Sequence, residues 1–377
     1  MTVNIFGGKL FRPAFLTGVL ALFLFVCASV SSAQTIRDLP PPPPAPTPKP
    51  TPTPKPPVEV LDVVRVTSNL VMVPVSVTDS QGHAVQGLQI PDFRLEEEGK
   101  PQDITEIGDP EQVPLDIALL FDVSSSVSQK GFFVFQQNAA AAFLKQVMKP
   151  SDKAAIFTIT DKPTLVQPLT TSQTAAAKML TIPAATTPVP TAFYDTVSAA
   201  AKYLTSSSES RHRRVLVVIS DGDDNFSEQI RDLSIAEARA AQNGRQTPSS
   251  ALVSLQGMHR RAVQDVQQAV QKADAIFYSI NPGGPSVRLN QISMRAQTGM
   301  ESIADATGGT AFVPDSDKDL EPVFLRVAAE LRGQYLLQYY SNQENAGSVF
   351  RRIRVTLPSH AELRVRARQG YYPKVQK

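Results

Sequence analysis

Asp122, Ser124 and Ser126 occupy alternate positions in Asp122-Val123-Ser124-Ser125-Ser126, directly after an apolar run that ends at Phe121. A carboxylate and two hydroxyls spaced this way in a loop curling off a strand can converge on one point. Their oxygens are hard ligands, suited to Mg2+, Mn2+ or Ca2+. A second apolar run, Val215 to Ile219, passes through Ser220 into Asp221-Gly222-Asp223-Asp224 and delivers another acid in the same manner. Between the two runs, Thr191 opens a helical stretch after Thr187-Pro188-Val189-Pro190, where its hydroxyl can reach the same point. Asp122 and Asp221 together carry about −2, which offsets one divalent ion. Hydroxyls at most other positions leave such an ion electrophilic, so a carboxylate from a partner suits its last coordination position. Ordinary roles compete with this reading. Ser124, Ser126 and Thr191 could each cap a helix. Asp223 and Asp224 are read as loop hydrogen-bonding groups, and Asp116 and Asp195 as structural acids.

Other chemistry finds little support. His83, His212, His259 and His360 are scattered, with no metal-ligand spacing, and read as surface or turn residues. No GxSxG elbow, HExxH or phosphate-binding loop is present. Ser124 as a nucleophile has no histidine near it in sequence. The reading is therefore a non-enzyme that binds a cation. A structural or assembly component whose ion only rigidifies loops is the alternative, and a metal-dependent hydrolase is the remote one.

These residues need a scaffold that brings distant strand ends together. From Leu115 to about Leu331, apolar strands alternate with helices. Leu115–Phe121, Ala154–Thr160, Val215–Ile219 and Ala275–Ile280 read as strands. Phe132–Met148, Ala192–Leu204, Val263–Ala273, Met294–Ala306 and Leu320–Leu331 read as helices. That order predicts an α/β fold: a doubly wound, mostly parallel sheet with helices on both faces, whose ligands bind at the C-terminal strand ends. Before it, residues 59–110 show strands and turns only. After it, residues 333–373 hold three more strands, Tyr335–Tyr340, Ile353–Leu357 and Leu363–Ala367. About four strands are too few to close a sandwich alone. The expectation is one small β-sandwich in two halves, with the α/β domain of residues 114–331 inserted between them.

The set Asp122-x-Ser124-x-Ser126, then Thr191, then Ser220-Asp221-Gly222 after an apolar strand, resembles the von Willebrand factor A domain and its metal-ion-dependent adhesion site. Each motif alone is common; their order and their strand-end positions make the set specific. The resemblance implies a Rossmann-like fold over about residues 114–331. It implies metal ligands at Asp122, Ser124, Ser126, Thr191 and Asp221, with Mg2+ (or Mn2+ or Ca2+) as the ion. It also implies a protein ligand that presents a carboxylate. The flanks, with Val73–Val77, Asp92-Phe93, Gly99-Lys100 and Arg366-Ala367-Arg368-Gln369-Gly370-Tyr371-Tyr372, are similar to a branch of this family common in acidobacteria. The stretch from Glu228 to His259 is longer than the usual connection after the second acidic strand.

The chain begins with a targeting pattern. Lys9 and Arg12 precede the apolar run Ala14–Ser29, and Ser31-Ser32-Ala33 offers a cleavage site. Residues 1–33 read as a signal peptide, because the run is short against the roughly 20 residues of a membrane span. An uncleaved anchor is the alternative and the sole expected membrane contact. Cleavage would remove Cys27, the single cysteine, and with it disulfides, thiol nucleophiles and thiolate metal sites. Residues 34–58 are dominated by proline and read as an extended spacer. The chain is expected to be exported, to the periplasm, the cell envelope or the medium. A formal net charge of +2 over 377 residues gives no electrostatic reason to expect nucleic acid. Arg211 to Arg214 and the alternating Arg351, Arg352, Arg354, Arg364, Arg366 and Arg368 read as solvated strand faces. Contact with an acidic envelope polymer is their sharper alternative.

Overall fold

The computed structural model describes residues 70–124, 133–243, 249–284, 291–316, 319–342 and 349–373. The targeting segment, the proline-rich spacer, residues 59–69 of the expected β region, and Ser125 and Ser126 lie outside these ranges.

Leu115–Asp122 (β5), Arg213–Ile219 (β8) and Ala275–Ile280 (β9) are buried at every position. Strands this apolar need cover on both faces, and their alternating side chains feed two separate cores. Ile117, Leu119 and Phe121 pack with the helices Phe133–Val147 (α1), Ser172–Met179 (α2) and Leu320–Arg332 (α7). Ala118 and Leu120 pack with Phe193–Ser207 (α3), Ser249–Lys272 (α5) and Gln291–Thr307 (α6). The sheet has six strands in the order β10-β9-β8-β5-β6-β7, where β6 is Lys153–Ile159, β7 is Thr164–Thr170 and β10 is Ala311–Phe312. All neighbours run parallel except β7, an antiparallel edge. This is the doubly wound, mostly parallel sheet that the pattern predicts. The chain leaves β5 for β6 on one side and returns to β8 on the other. The C-terminal ends of β5 and β8 therefore flank the point where strand order reverses, which is where open α/β sheets bind ligands.

Two four-stranded antiparallel sheets complete the structure, ordered β13-β1-β11-β4 and β14-β12-β2-β3. Leu70–Thr78 (β1), Arg94–Glu97 (β2), Lys100–Gln102 (β3) and Ile104–Gly108 (β4) precede the α/β part. Tyr335–Tyr340 (β11), Arg351–Thr356 (β12), Arg364–Ala367 (β13) and Gly370–Tyr371 (β14) follow it. Each sheet mixes both groups: Val73 sits opposite Leu337, and Leu95 opposite Val355. Val73, Val75, Leu95, Leu337 and Tyr339 share one core. Glu97, fully buried there, accepts hydrogen bonds from Arg351 at 3.1 Å and from the Tyr339 hydroxyl at 2.9 Å.

The stretch from Glu228 to His259 carries Arg231–Gln242 (α4) and the first part of α5. Several readings from sequence are corrected. His259 is buried, not a surface residue, because it lies on the core side of α5 and meets the Tyr194 hydroxyl at 3.1 Å. His212 is nearly buried as well, 3.2 Å from Asp116. Among the arginines, Arg352, Arg354 and Arg364 are exposed as expected, but Arg213, Arg214 and Arg351 are buried. Arg213 caps the end of α7 by donating to the Leu331 carbonyl, and Arg366 pairs with Glu330 at 2.8 Å. These guanidiniums face another layer of the protein, where carbonyls and carboxylates meet part of each one's donors.

Candidate metal centre

Asp122 is the last residue of β5 and has no exposed surface. The register pairs Phe121 with Ile219, which sets Ser220 beside Asp122 and carries the chain on to Asp221. The Ser220 hydroxyl donates to Asp122 Oδ2 at 2.6 Å, and the Ser124 amide donates to Asp122 Oδ1 at 2.8 Å. The second bond folds the loop back so that Ser124, also buried, stands over the strand end. Burial and the nearby Asp221 carboxylate push the Asp122 carboxyl up to about 7, while bonds from Ser124 and Ser220 hold it lower. No cationic side chain is among these influences.

Thr191 reaches the same region by another route. It is not the helix cap: Ala192 occupies the N-cap of α3. Instead, the Thr191 carbonyl accepts from the amides of Asn225 and Phe226 at 3.1 and 3.0 Å, and its own amide donates to Asn225 Oδ1 at 2.9 Å. Thr191 is thereby fixed to the loop that Asp221 begins. Asp224 anchors that loop to the first turn of α3. Its carboxylate accepts from the amides of Tyr194 at 2.7 Å, Phe226 at 3.1 Å and Ser227 at 2.9 Å, and from the Ser227 hydroxyl at 2.5 Å. Asp224 is thus the helix-capping acid. Burial first, and then the Asp221 carboxylate, push the Asp223 carboxyl up to about 6, against the opposing pull of the Arg295 guanidinium.

Gly222 makes the turn between these acids possible. Its φ is +73°, and a Cβ there would come within 2.7 Å of Met300 Cε on α6. Gly222→Ala is expected to cost about 2 kcal/mol, combining left-handed strain with the displaced methionine. A double-mutant cycle with Met300→Ala checks the contact by thermal unfolding: Gly222→Ala should cost less in the Met300→Ala background than in the unaltered chain, and equal costs in both backgrounds would rule out the contact as a cause.

The structure thus brings Asp122, Ser124 and Asp221 to one sheet edge, at the ends of β5 and β8, and ties Thr191 to the loop that Asp221 begins; Ser126 lies outside the described residues. Among the described residues no three His, Cys, Asp or Glu side chains gather as a metal cluster. Any cation here would rest on two acids and on hydroxyls. The sequence reading missed Ser220 as a partner of Asp122, although a hydroxyl just before a strand-end acid was visible.

Residues 117–223 match a family model described as the von Willebrand factor type A domain. No curated protein matches the chain. Among solved structures, proximal thread matrix protein 1 from the mussel byssus, with a zinc-occupied MIDAS motif, shares 14% identity at a TM-score of 0.40 and covers 61% of this chain and 48% of its own. A von Willebrand factor type A protein from Catenulispora acidiphila shares 12% identity at a TM-score of 0.41, covering 71% and 51%. The PilB minor pilin from Streptococcus sanguinis shares 12% at 0.41, covering 59% and 62%. The chain spans about half the length of the mussel and Catenulispora chains. The stretch from Ile117 to Asp223, which contains Asp122, Thr191 and Asp221, belongs to the von Willebrand factor type A family.

Proposed function

We propose that this chain is an exported, non-enzymatic protein-binding module that holds one divalent cation through Asp122, Ser124, Ser126, Thr191 and Asp221. The observation that carries the reading is the convergence of Asp122 and Asp221 at one buried strand end, with no cationic side chain among the influences on Asp122. Two like charges brought together out of water are costly unless something offsets them. A divalent cation would supply that charge and offer an open coordination position to a partner's carboxylate. The protein's own groups prepare for it. Ser220 and the Ser124 amide orient Asp122, Asn225 holds Thr191, and Asp221 remains partly open to solvent. Hard oxygen donors favour Mg2+, with Mn2+ and Ca2+ as competitors.

The domain division belongs to the same reading: a β domain formed by residues 59–110 and 333–373, interrupted by the α/β domain at 114–331. The pairing of β1 with β11 and of β2 with β12 supports it. Export rests on the N-terminal pattern. Among the described residues no helix is long and apolar enough to cross a membrane.

The deciding experiment passes envelope extract over the immobilised chain in Mg2+, in EDTA, and with Asp221→Ala. Retention of specific proteins in Mg2+ alone, lost with chelator and with the variant, is the expected result. Tight Mg2+ binding by calorimetry with retention indifferent to chelator would leave a purely structural ion. Absence of Mg2+, Mn2+ and Ca2+ binding would remove the metal reading altogether.

A further inference from the structure

Two helices beside the candidate metal centre are longer than the strands they cover. α5 ends at Lys272, shortly before β9 opens at Ala275, and Ala275 lies in register with Arg214 near the start of β8. Helix and strands therefore share one level at the base of the sheet. From there the 24 residues of α5 rise about 36 Å, whereas the 7 residues of β8 span about 23 Å. A second marker agrees. His259 on α5 meets Tyr194 in the first turn of α3, just after Thr191. The part of α5 before that contact, Ser249 to Met258, extends roughly 15 Å beyond it. α6 does likewise: Met300 stands against Gly222, beside Asp221, and the stretch from Gln291 to Gly299 lies further out. The two extensions form one wall, since Gly299 packs on Val263; a Cβ on Gly299 would stand 3.2 Å from Val263 Cγ2. Leu255, inside the α5 extension, is buried in one core with Ile230, so the wall is packed at its foot. Higher up, Val253 is 69% and Met294 56% exposed, so the rest of the described chain leaves that surface open.

Charge along both helices is segregated. From Ser249 to Gln264, α5 carries Arg260 and Arg261 and no acid; from Gln291 to Met300, α6 carries Arg295 and no acid. The first acids, Asp265 and Glu301, come nearer the base. Helical side chains lean toward the helix N-terminus, here toward the edge that bears the candidate metal centre. The wall thus sets guanidiniums along one side of a centre that itself calls for a carboxylate. Guanidiniums recognise carboxylates through paired N–H donors.

We propose that this wall is the second half of the partner interface, and that it fits an acidic segment protruding from the partner protein. The inference rests on the metal-binding reading above. One carboxylate of the segment would complete the ion, and a neighbouring one would pair with Arg295 or Arg260. A flat acidic surface would meet the top of the wall before its carboxylate reached the ion, so the wall selects shape as well as charge.

The test couples a tri-aspartate peptide to a sensor surface, either flush with an inert monolayer or raised on a spacer of about 25 Å, longer than the wall is high. The full chain flows over both in Mg2+ and in EDTA. Retention in Mg2+ is expected to be at least about tenfold greater on the raised peptide, and to vanish with chelator. Arg260→Gln/Arg295→Gln should lower retention on the raised peptide about three- to tenfold, because each exposed ion pair contributes a small factor. Its Mg2+ affinity by calorimetry should stay unchanged. Equal Mg2+-dependent retention on the flush and raised peptides would overturn the proposal. So would Mg2+ binding without retention on either, or a double variant retained as well as the unaltered chain. A chain that binds no Mg2+, Mn2+ or Ca2+ in calorimetry would remove the metal reading itself, and this inference with it.

Discussion

Asp122→Asn is expected to raise the melting temperature of the metal-free protein at about pH 8 and to abolish its stabilisation by Mg2+. The first half follows from sign. The Asp122 carboxyl is pushed up to about 7 in the folded state, against an ordinary value of 3.8. Between those values the folded protein holds a proton that the unfolded chain has released, so stability falls as pH rises through the interval and stays low above it. With about 1.4 kcal/mol per pH unit, charging Asp122 costs the metal-free fold on the order of 4 kcal/mol. Asparagine carries no charge and has nearly the same shape. Its carbonyl oxygen still accepts the Ser124 amide, and its amide can donate to the Ser220 oxygen. The variant should therefore melt higher in EDTA at about pH 8, and the difference should vanish near pH 4. The second half follows from charge. With one acid removed the site retains about −1, and Mg2+ affinity is expected to fall at least about a hundredfold. At a Mg2+ concentration about 100 times the dissociation constant, the unaltered protein gains roughly 2.7 kcal/mol and the variant almost nothing. Calorimetric melting in EDTA and in Mg2+ at both pH values checks each half. A variant that is less stable in EDTA yet gains from Mg2+ as the unaltered protein does would remove Asp122 from the centre.

How far the sequence leads depends on whether the signal is local. β5, β8 and β9 each hold an apolar run, Ile117–Phe121, Val215–Ile219 and Ala275–Tyr278, and such a run bounded by turns specifies a strand buried on both faces. Asp122 and Asp221 follow two of those runs, so their presence at one sheet edge was readable once the strands were placed as neighbours. Helices α2 and α4 were not readable. Ser172–Met179 is short and mixes threonine, glutamine and lysine with alanine, and Arg231–Gln242 is rich in charge and alanine, so neither shows a strong apolar stripe. Long-range contacts were beyond reach. His259 is buried because Tyr194, 65 positions earlier, meets it across α3 and α5. Arg351 reads as one tooth of an alternating arginine strand. Alternation fixes which face a residue occupies but not what covers that face, and here Glu97, 254 positions away, covers it. The role of Asp224 was half visible. A loop carboxylate was expected to bond its own loop, but its grip on the Tyr194 amide comes from the packing of α3 against the β8 end.

That grip makes Asp224 the most fragile point of the region, and Asp224→Ala the largest stability loss expected there. The carboxylate satisfies three backbone amides, those of Tyr194, Phe226 and Ser227, together with the Ser227 hydroxyl. Asp224 is 2% exposed, so water cannot readily replace it. Burial alone pushes its carboxyl up, and these bonds pull the other way, so the ionised acid is tolerated because of them. Alanine leaves the donors unpaired at the start of α3, with an expected cost of about 3–5 kcal/mol. Asparagine does not rescue it. Its oxygen can serve Phe226 and Ser227, but its amide then confronts the Tyr194 amide, donor against donor. Mg2+ affinity should also fall, by about tenfold, because the segment that positions Thr191 and Asp221 loses its anchor although Asp224 is no ligand. The two acids thus separate by sign: removing the Asp122 charge should raise stability in EDTA, and removing Asp224 should lower it under every condition. Chemical denaturation of both variants in EDTA reads this directly. If Asp224→Ala unfolds at the same denaturant concentration as the unaltered chain, the loop is held by something other than this carboxylate, and Asp224 is free to be reconsidered as a ligand.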